Sequence, residues 1–118
     1  MSYLGDCVIE LIVRERLVKS GNIPPEQLHL KALMFVQATS QSKAVENMLP
    51  ILTEAETDIY KRGRNAKVRA PKSASVAEYK RATGMECLFG YIYLEGDNKR
   101  LHELFDIAFA DLLYSLQK

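Results

Sequence analysis

Residues 84–94 read GMECLFGYIYL, an apolar run in which Glu86 is the only charge. The run is the second half of a longer pattern. Ser75 followed by Glu78 has the spacing of a capping box, in which each side chain satisfies a backbone N–H at a helix start. The glycine and cap-forming residues of LEGDN (94–98) punctuate the other end, so one long helix is expected between them. By their spacing of three and four, Thr83, Glu86 and Gly90 share a face of that helix. A second stretch, SYLGDCVIEL at residues 2–11, has the same character, with Asp6 beside Cys7 as Glu86 stands beside Cys87. An ionised carboxylate buried without a partner costs several kcal/mol, so both acids require a cation, a metal or a second acid that shares a proton.

Working outward, Tyr3 to Lys19 is helical in pattern and is stopped at KSGNIPP (19–25), where Gly21 can adopt the left-handed cap and the prolines forbid continuation. Asp6, Glu10 and Arg14 recur every four residues and form one polar stripe on a helix otherwise apolar, which predicts a buried helix with one special face. Residues 25–52 read as two helices anchored by Leu28, Leu33, Val36, Val45, Met48 and Leu49, with the break in QATSQS (37–42). Thr53 and Glu56 form a capping box that opens a helix to about Lys61. The composition then changes: KRGRNAKVRAPK (61–72) holds six basic residues and no acid, and reads as a basic loop. A last amphipathic helix is expected from Asn98 to Leu116, with Leu101, Leu104, Phe105, Ala108, Phe109, Leu112 and Leu113 at helical spacing. No stretch alternates like a strand, and the predicted fold class is all-α.

A chain of 118 residues at 47% hydrophobic is long enough for one core, and a single domain over residues 1–118 is expected. The formal net charge of +1 carries no signal for an anionic partner, so any such signal is local. Cys7 and Cys87 have no CxxC spacing and only His29 and His102 as further soft ligands, which argues against a disulfide framework and a zinc site and for a reducing compartment. Both cysteines read as small buried hydrophobes, both histidines as helix-surface residues, and Phe89, Tyr91 and Phe105 as core or interface residues. No run approaches the ~18 to 20 apolar residues of a membrane span, and the expected location is the cytoplasm.

Two readings of each acid stay open at this stage. Asp6 has the like charge Glu10 at i+4, whereas Glu10 has Arg14 at the favourable spacing; Asp6 either serves a helix N-terminus or binds a cation. Glu86 either pairs with a buried Arg or Lys or shares a cation with Asp6. Mg²⁺ suits the shared site because it takes one or two protein carboxylates and keeps several waters. The basic segment, with Lys61, Arg62, Arg64, Asn65, Lys67, Arg69 and Lys72, fits the phosphate backbone of a nucleic acid, and its plain alternative is a solvated charge run.

YLGDCVIEL resembles the LGDAVLE signature helix of the ribonuclease III catalytic domain, and MECLFGYIYLEGD resembles that family's second motif, EAxxGAIYLD. With the KRGRNAK loop between them, the chain looks most like the short bacterial branch, Mini-ribonuclease III, which carries no double-stranded-RNA-binding domain. The resemblance covers essentially the whole chain. It implies a homodimeric helical catalytic domain over residues 1–118, with Asp6 and Glu86 as catalytic, metal-binding carboxylates, Mg²⁺ or Mn²⁺ as cofactor, and Glu10 in support. It also implies double-stranded RNA as substrate and partner, contacted by the basic segment, with a role in maturing large-subunit (23S) ribosomal RNA. The chain departs from the broad family at Ser2 and Thr83, which stand where the family has acids and leave fewer direct ligands; Ser40 and Gln41 stand near another missing acid. Only five residues precede Asp6, where the family has a further helix. These departures keep alive a non-cleaving RNA-binding or ribosome-associated dimer of the same fold. A helical dimerisation module is the third reading, and it leaves the basic segment unexplained.

Overall fold

The computed structural model describes residues 1–66 and 75–116. Among the described residues seven helices carry the fold: α1 (Ser2–Lys19), α2 (Pro25–Val36), α3 (Ala38–Met48), α4 (Glu54–Asn65), α5 (Val76–Leu94), α6 (Asn98–Ala108) and α7 (Ala110–Leu116), with a 3₁₀ turn at Leu49–Ile51. Among the described residues there is no strand. The all-α expectation holds.

Helix α5 is the axis of the molecule, with α1, α3, α4 and α6 packed around it. Its apolar sequence follows from that position: Met85, Leu88, Phe89 and Ile92 all enter one core with Ile9, Ile12, Val13 and Leu17 of α1, Phe35 of α2, Val45 and Met48 of α3, and Leu101, Leu104 and Phe105 of α6. Glycines set how closely the neighbours approach. A Cβ on Gly5 would lie 1.6 Å from the Glu86 carbonyl oxygen, and one on Gly90 would lie 2.7 Å from the Met1 carbonyl oxygen. Met1 is thus opposite Gly90 and Gly5 opposite Glu86, so α1 and α5 run antiparallel in near backbone contact. On another side of α5, Gly63 of α4 sits against Cys87 and Gly84 against Tyr60.

The local signals behave as their chemistry requires, with informative exceptions. Gly21 takes φ 112° just past α1, and Gly96 takes φ 77° just past α5. The Thr53–Glu56 capping box forms in both directions, whereas at Ser75 only the half in which its hydroxyl accepts from the Glu78 N–H is made. The break in residues 37–42 falls at its first residue, Gln37, where ψ is 145°. The segment from Lys61 to Asn65, expected as loop, is the last turn of α4. Gly63 does not break that helix: it is the contact that lets α4 close on α5, and Arg62 and Arg64 complement the negative end of the helix dipole. Lys67, Arg69 and Lys72 lie outside the described residues.

The single C-terminal helix expected from the apolar periodicity is two helices. Phe109 (φ −107°, ψ 27°) divides them, the Asn47 Nδ2 donates to the Ala108 carbonyl at 3.0 Å, and the Phe109 ring turns into a cluster with Phe35 and Phe105 at 5.5 and 4.9 Å between centroids. Periodicity runs through the break because both halves face the same core. Leu33 and Leu49, read as anchors, are exposed, as are Leu11 and Val18 of α1. Helix α1 therefore buries one side only.

One ion pair ties three segments together. Arg100 donates from Nε to Glu56 Oε2 at 2.9 Å, and from Nη2 to Glu56 Oε1 at 2.7 Å and the Ile51 carbonyl at 3.0 Å, while Glu56 also accepts from the Thr53 N–H. The Arg100 hydrogen bond holds the Glu56 carboxyl below its ordinary range against the opposing effect of burial. Arg100→Ala should lower stability by about 3 kcal/mol at neutral pH, because it strands a buried carboxylate. A group whose folded pKa is depressed contributes stability above its unfolded pKa and loses it as pH falls through the folded value. Urea denaturation of the two proteins should therefore show a gap that narrows towards acid; a gap independent of pH would assign the loss to packing.

Candidate active site

The near-contact of α1 and α5 at Gly5 brings Asp6 and Glu86 together. Asp6 is the fifth residue of α1, past the first turn, so the helix N-terminus does not account for it. Among the described residues no ion pair reaches either acid, so the buried Arg or Lys that was one reading of Glu86 is not there. Glu86 is half-buried, and its pKa is raised to about 8, first by burial and then by the Asp6 charge and a hydrogen bond with Asp6. At neutral pH Glu86 therefore keeps its proton, beside the Asp6 carboxyl with which it hydrogen-bonds.

The polar stripe continues along α1, where Glu10 Oε1 accepts from Arg14 Nη2 at 2.7 Å. Thr83 is buried and donates its hydroxyl to the Tyr79 carbonyl at 3.0 Å, a bond within its own helix. Among the described residues no group of three or more Asp, Glu, His or Cys converges. The donor set is thus two hard carboxylate oxygens sources on neighbouring helices, which fits a hard divalent cation that keeps most of its waters and does not fit a dehydrated, protein-caged ion.

The other polar candidates fall into place around this pair. Lys61, Arg62, Arg64 and Asn65 stand on the last turn of α4, which Gly63 anchors against Cys87, the neighbour of Glu86. Cys87 is partly buried and its thiol is pushed up by burial, whereas Cys7 is exposed on α1, against expectation, because it falls on the side of the helix away from the core. His29 is exposed on α2; His102 is partly buried and its Nδ1 lies 3.0 Å from Arg16 Nη2. Phe89 and Phe105 are core residues, and Tyr91 is exposed. The motif reading placed Gly90 on the face of Glu86 but gave neither it nor Gly5 a role; both are positioning residues, whose lack of a side chain sets the spacing of the acids. Both lie inside the quoted motifs, and their spacing from Asp6 and Glu86 is the signal that marks them as crossing points.

A family model described as Ribonuclease III domain matches residues 1–97. Mini-ribonuclease 3 of Symbiobacterium thermophilum is 49% identical over 114 residues, covering 96% of this chain and 87% of that protein. Mini-ribonuclease 3 of Enterococcus faecalis is 42% identical over 107 residues, covering 88% and 81% respectively. A crystal structure of a protein from Fusobacterium nucleatum superposes with a TM-score of 0.86 at 27% identity, over 98% of this chain and 89% of that one. With Asp6 and Glu86 meeting across the glycine-lined crossing of its two signature helices, the chain belongs to the ribonuclease III family, in its Mini-ribonuclease 3 branch.

Proposed function

We propose that the protein is a metal-dependent endoribonuclease that cleaves double-stranded RNA, with Asp6 and Glu86 as the metal-binding catalytic carboxylates and precursor large-subunit (23S) ribosomal RNA as its substrate. The observation that carries this reading is the meeting of two carboxylates without a cationic partner among the described residues, at a position where one of them retains a proton. Family membership and the names of the relatives support the endoribonuclease class.

Mg²⁺, or Mn²⁺ in its place, would supply a lowered pKa for an attacking water and charge compensation at the scissile phosphate. The protein's own part is positional. Asp6 and Glu86, fixed on two packed helices, would hold such a cation, and Glu86 would have to give up its proton to do so. Glu10 lies one turn from Asp6, able to orient water while its other contact is Arg14. The cations at the end of α4, with those at 67, 69 and 72, contact phosphates and 2′-hydroxyls across the wide minor groove of an A-form duplex, which reads shape rather than base sequence. The catalytic domain spans residues 1–118 and acts as a cytoplasmic homodimer that presents two sites to the two strands. The exposed Tyr3, Leu11 and Val18 on α1 and Leu30 on α2 are apolar surface of the kind that pairing of subunits covers. No helix among the described residues is long and apolar enough to cross a membrane.

The test is cleavage of an end-labelled RNA duplex with Mg²⁺ and with chelator. Cutting that requires the metal and spares single strands is the expected result. Salt-sensitive duplex binding without cutting at any metal concentration would replace this reading with the non-cleaving dimer.

A further inference from the structure

A second positively charged feature lies on α5, outside the basic segment. Arg81 stands five residues before Glu86, about 140° round the helix from it, and so faces the α3 and α4 side instead of α1. On that side lies Tyr60 of α4, which Arg64 also approaches. The Arg64 guanidinium lies 5.7 Å from the centroid of the Tyr60 ring, and that ring packs against Gly84, three residues from Arg81. Both guanidinium charges act on the Tyr60 hydroxyl and oppose the effect of its burial. Two like charges from different helices thus converge on one buried phenol.

Little on the protein neutralises them. Arg81 spends one donor on the Ser42 hydroxyl at 2.8 Å, and its ion pair with Glu46 is long, 3.9 Å, with Lys43 3.8 Å from the same carboxylate. Arg64 donates its Nε to Asn65 Oδ1 at 3.2 Å and has no ion pair among the described residues. The Ser42 bond matters for a different reason: it holds the Arg81 head group through a neutral partner, so the only charge against it is the long, exposed pair with Glu46. A guanidinium held in this way, beside the same Tyr60 that Arg64 covers, presents N–H donors in the planar arrangement that suits phosphate oxygens.

We infer that Arg81 and Arg64, flanking Tyr60, form a phosphate-binding subsite that holds the RNA backbone away from the carboxylate pair. The inference rests on the double-stranded-RNA reading and adds to it a positioning residue, Arg81, that lies outside the basic stretch of the sequence. Its place on the far side of α5 assigns it to a phosphate on the flank of the duplex, so it contributes to holding RNA and not to the chemical step.

The test is RNA-duplex binding by the full chain across a salt series, with single-site Arg81→Gln, Arg81→Lys and Ser42→Ala variants. Arg81→Gln should weaken binding about tenfold near 0.1 M salt and reduce the slope of log K against log salt by about one. It should raise KM and leave kcat at saturating RNA unchanged. Arg81→Lys should keep most of the slope, and Ser42→Ala should keep all of it, since both preserve the charge. A wild-type slope in Arg81→Gln, or an equal loss in Ser42→Ala, would overturn the subsite and leave Arg81 as a tie between α3 and α5. Failure of the wild-type protein itself to bind duplex RNA at low salt would instead overturn the reading on which the subsite rests.

Discussion

Glu86→Gln should reduce cleavage of duplex RNA by about a thousandfold or more while leaving the helical fold intact, and Asp6→Asn should do the same. The amide keeps the shape of the carboxyl group but cannot supply the negative charge that a divalent cation requires, and among the described residues no third acid converges to compensate. Glu86→Gln has a second consequence that separates a functional acid from a structural one. In the metal-free protein the Glu86 pKa is raised to about 8, well above its ordinary carboxyl value. A raised folded pKa contributes stability that is fully present below the unfolded pKa and is lost as pH rises through the folded value. The metal-free wild type therefore weakens from about pH 4.5 to pH 8, and the glutamine variant, which has no proton to lose, does not. Thermal denaturation in chelator should find Glu86→Gln more stable than wild type at pH 8 to 9, with the difference vanishing near pH 4 to 5. A variant that is inactive and more stable at high pH fits a site that trades stability for cation binding. One that unfolds would assign Glu86 to the core.

How much of this arrangement could be read from the residues depends on the range of the interaction involved. The helix ends at Gly21, Thr53 and Gly96 are local chemistry, decided within a few residues, and they stand where the caps and glycines put them. The adjacency of Asp6 and Glu86 is not local. It was legible because an unpaired acid in an apolar run states a demand, and two such runs state the same one. What stayed hidden were contacts in which periodicity is silent. Phe109 keeps its apolar register whether the helix continues or turns, so the break that seats its ring against Phe35 leaves no trace in the pattern. Gly63 reads as a helix breaker until Cys87 is seen against it, and nothing in the sequence singles out Arg81, whose partner Ser42 lies 39 residues away. Exposure of Cys7, Leu11 and Val18 is likewise invisible to a reading that counts α1 as apolar on every side but one.

The glycine at the crossing provides the strongest test of how fold produces site. Gly5→Ala changes one hydrogen to a methyl, yet that Cβ would fall 1.6 Å from the Glu86 carbonyl oxygen and 2.4 Å from its carbonyl carbon. Both are backbone atoms of a helix that α1, α3, α4 and α6 pack against, so no rotamer change relieves the overlap; α1 must move off α5 by more than an ångström. Helix propensity works in the opposite sense, since alanine is favoured over glycine in a helix interior by about 1 kcal/mol. Overpacking at a close crossing costs up to about 3 kcal/mol and more where backbone has to shift, so the clash outweighs the propensity gain. A net loss of about 2 kcal/mol is expected in urea denaturation. Cleavage should fall further than stability does, because the shift that accommodates the methyl also separates Asp6 from Glu86. The measurement is activity under conditions in which circular dichroism finds the variant fully folded. Full activity there would show that the two acids tolerate a wider gap than this crossing sets; a folded and inactive Gly5→Ala protein would locate the origin of the site in a missing side chain.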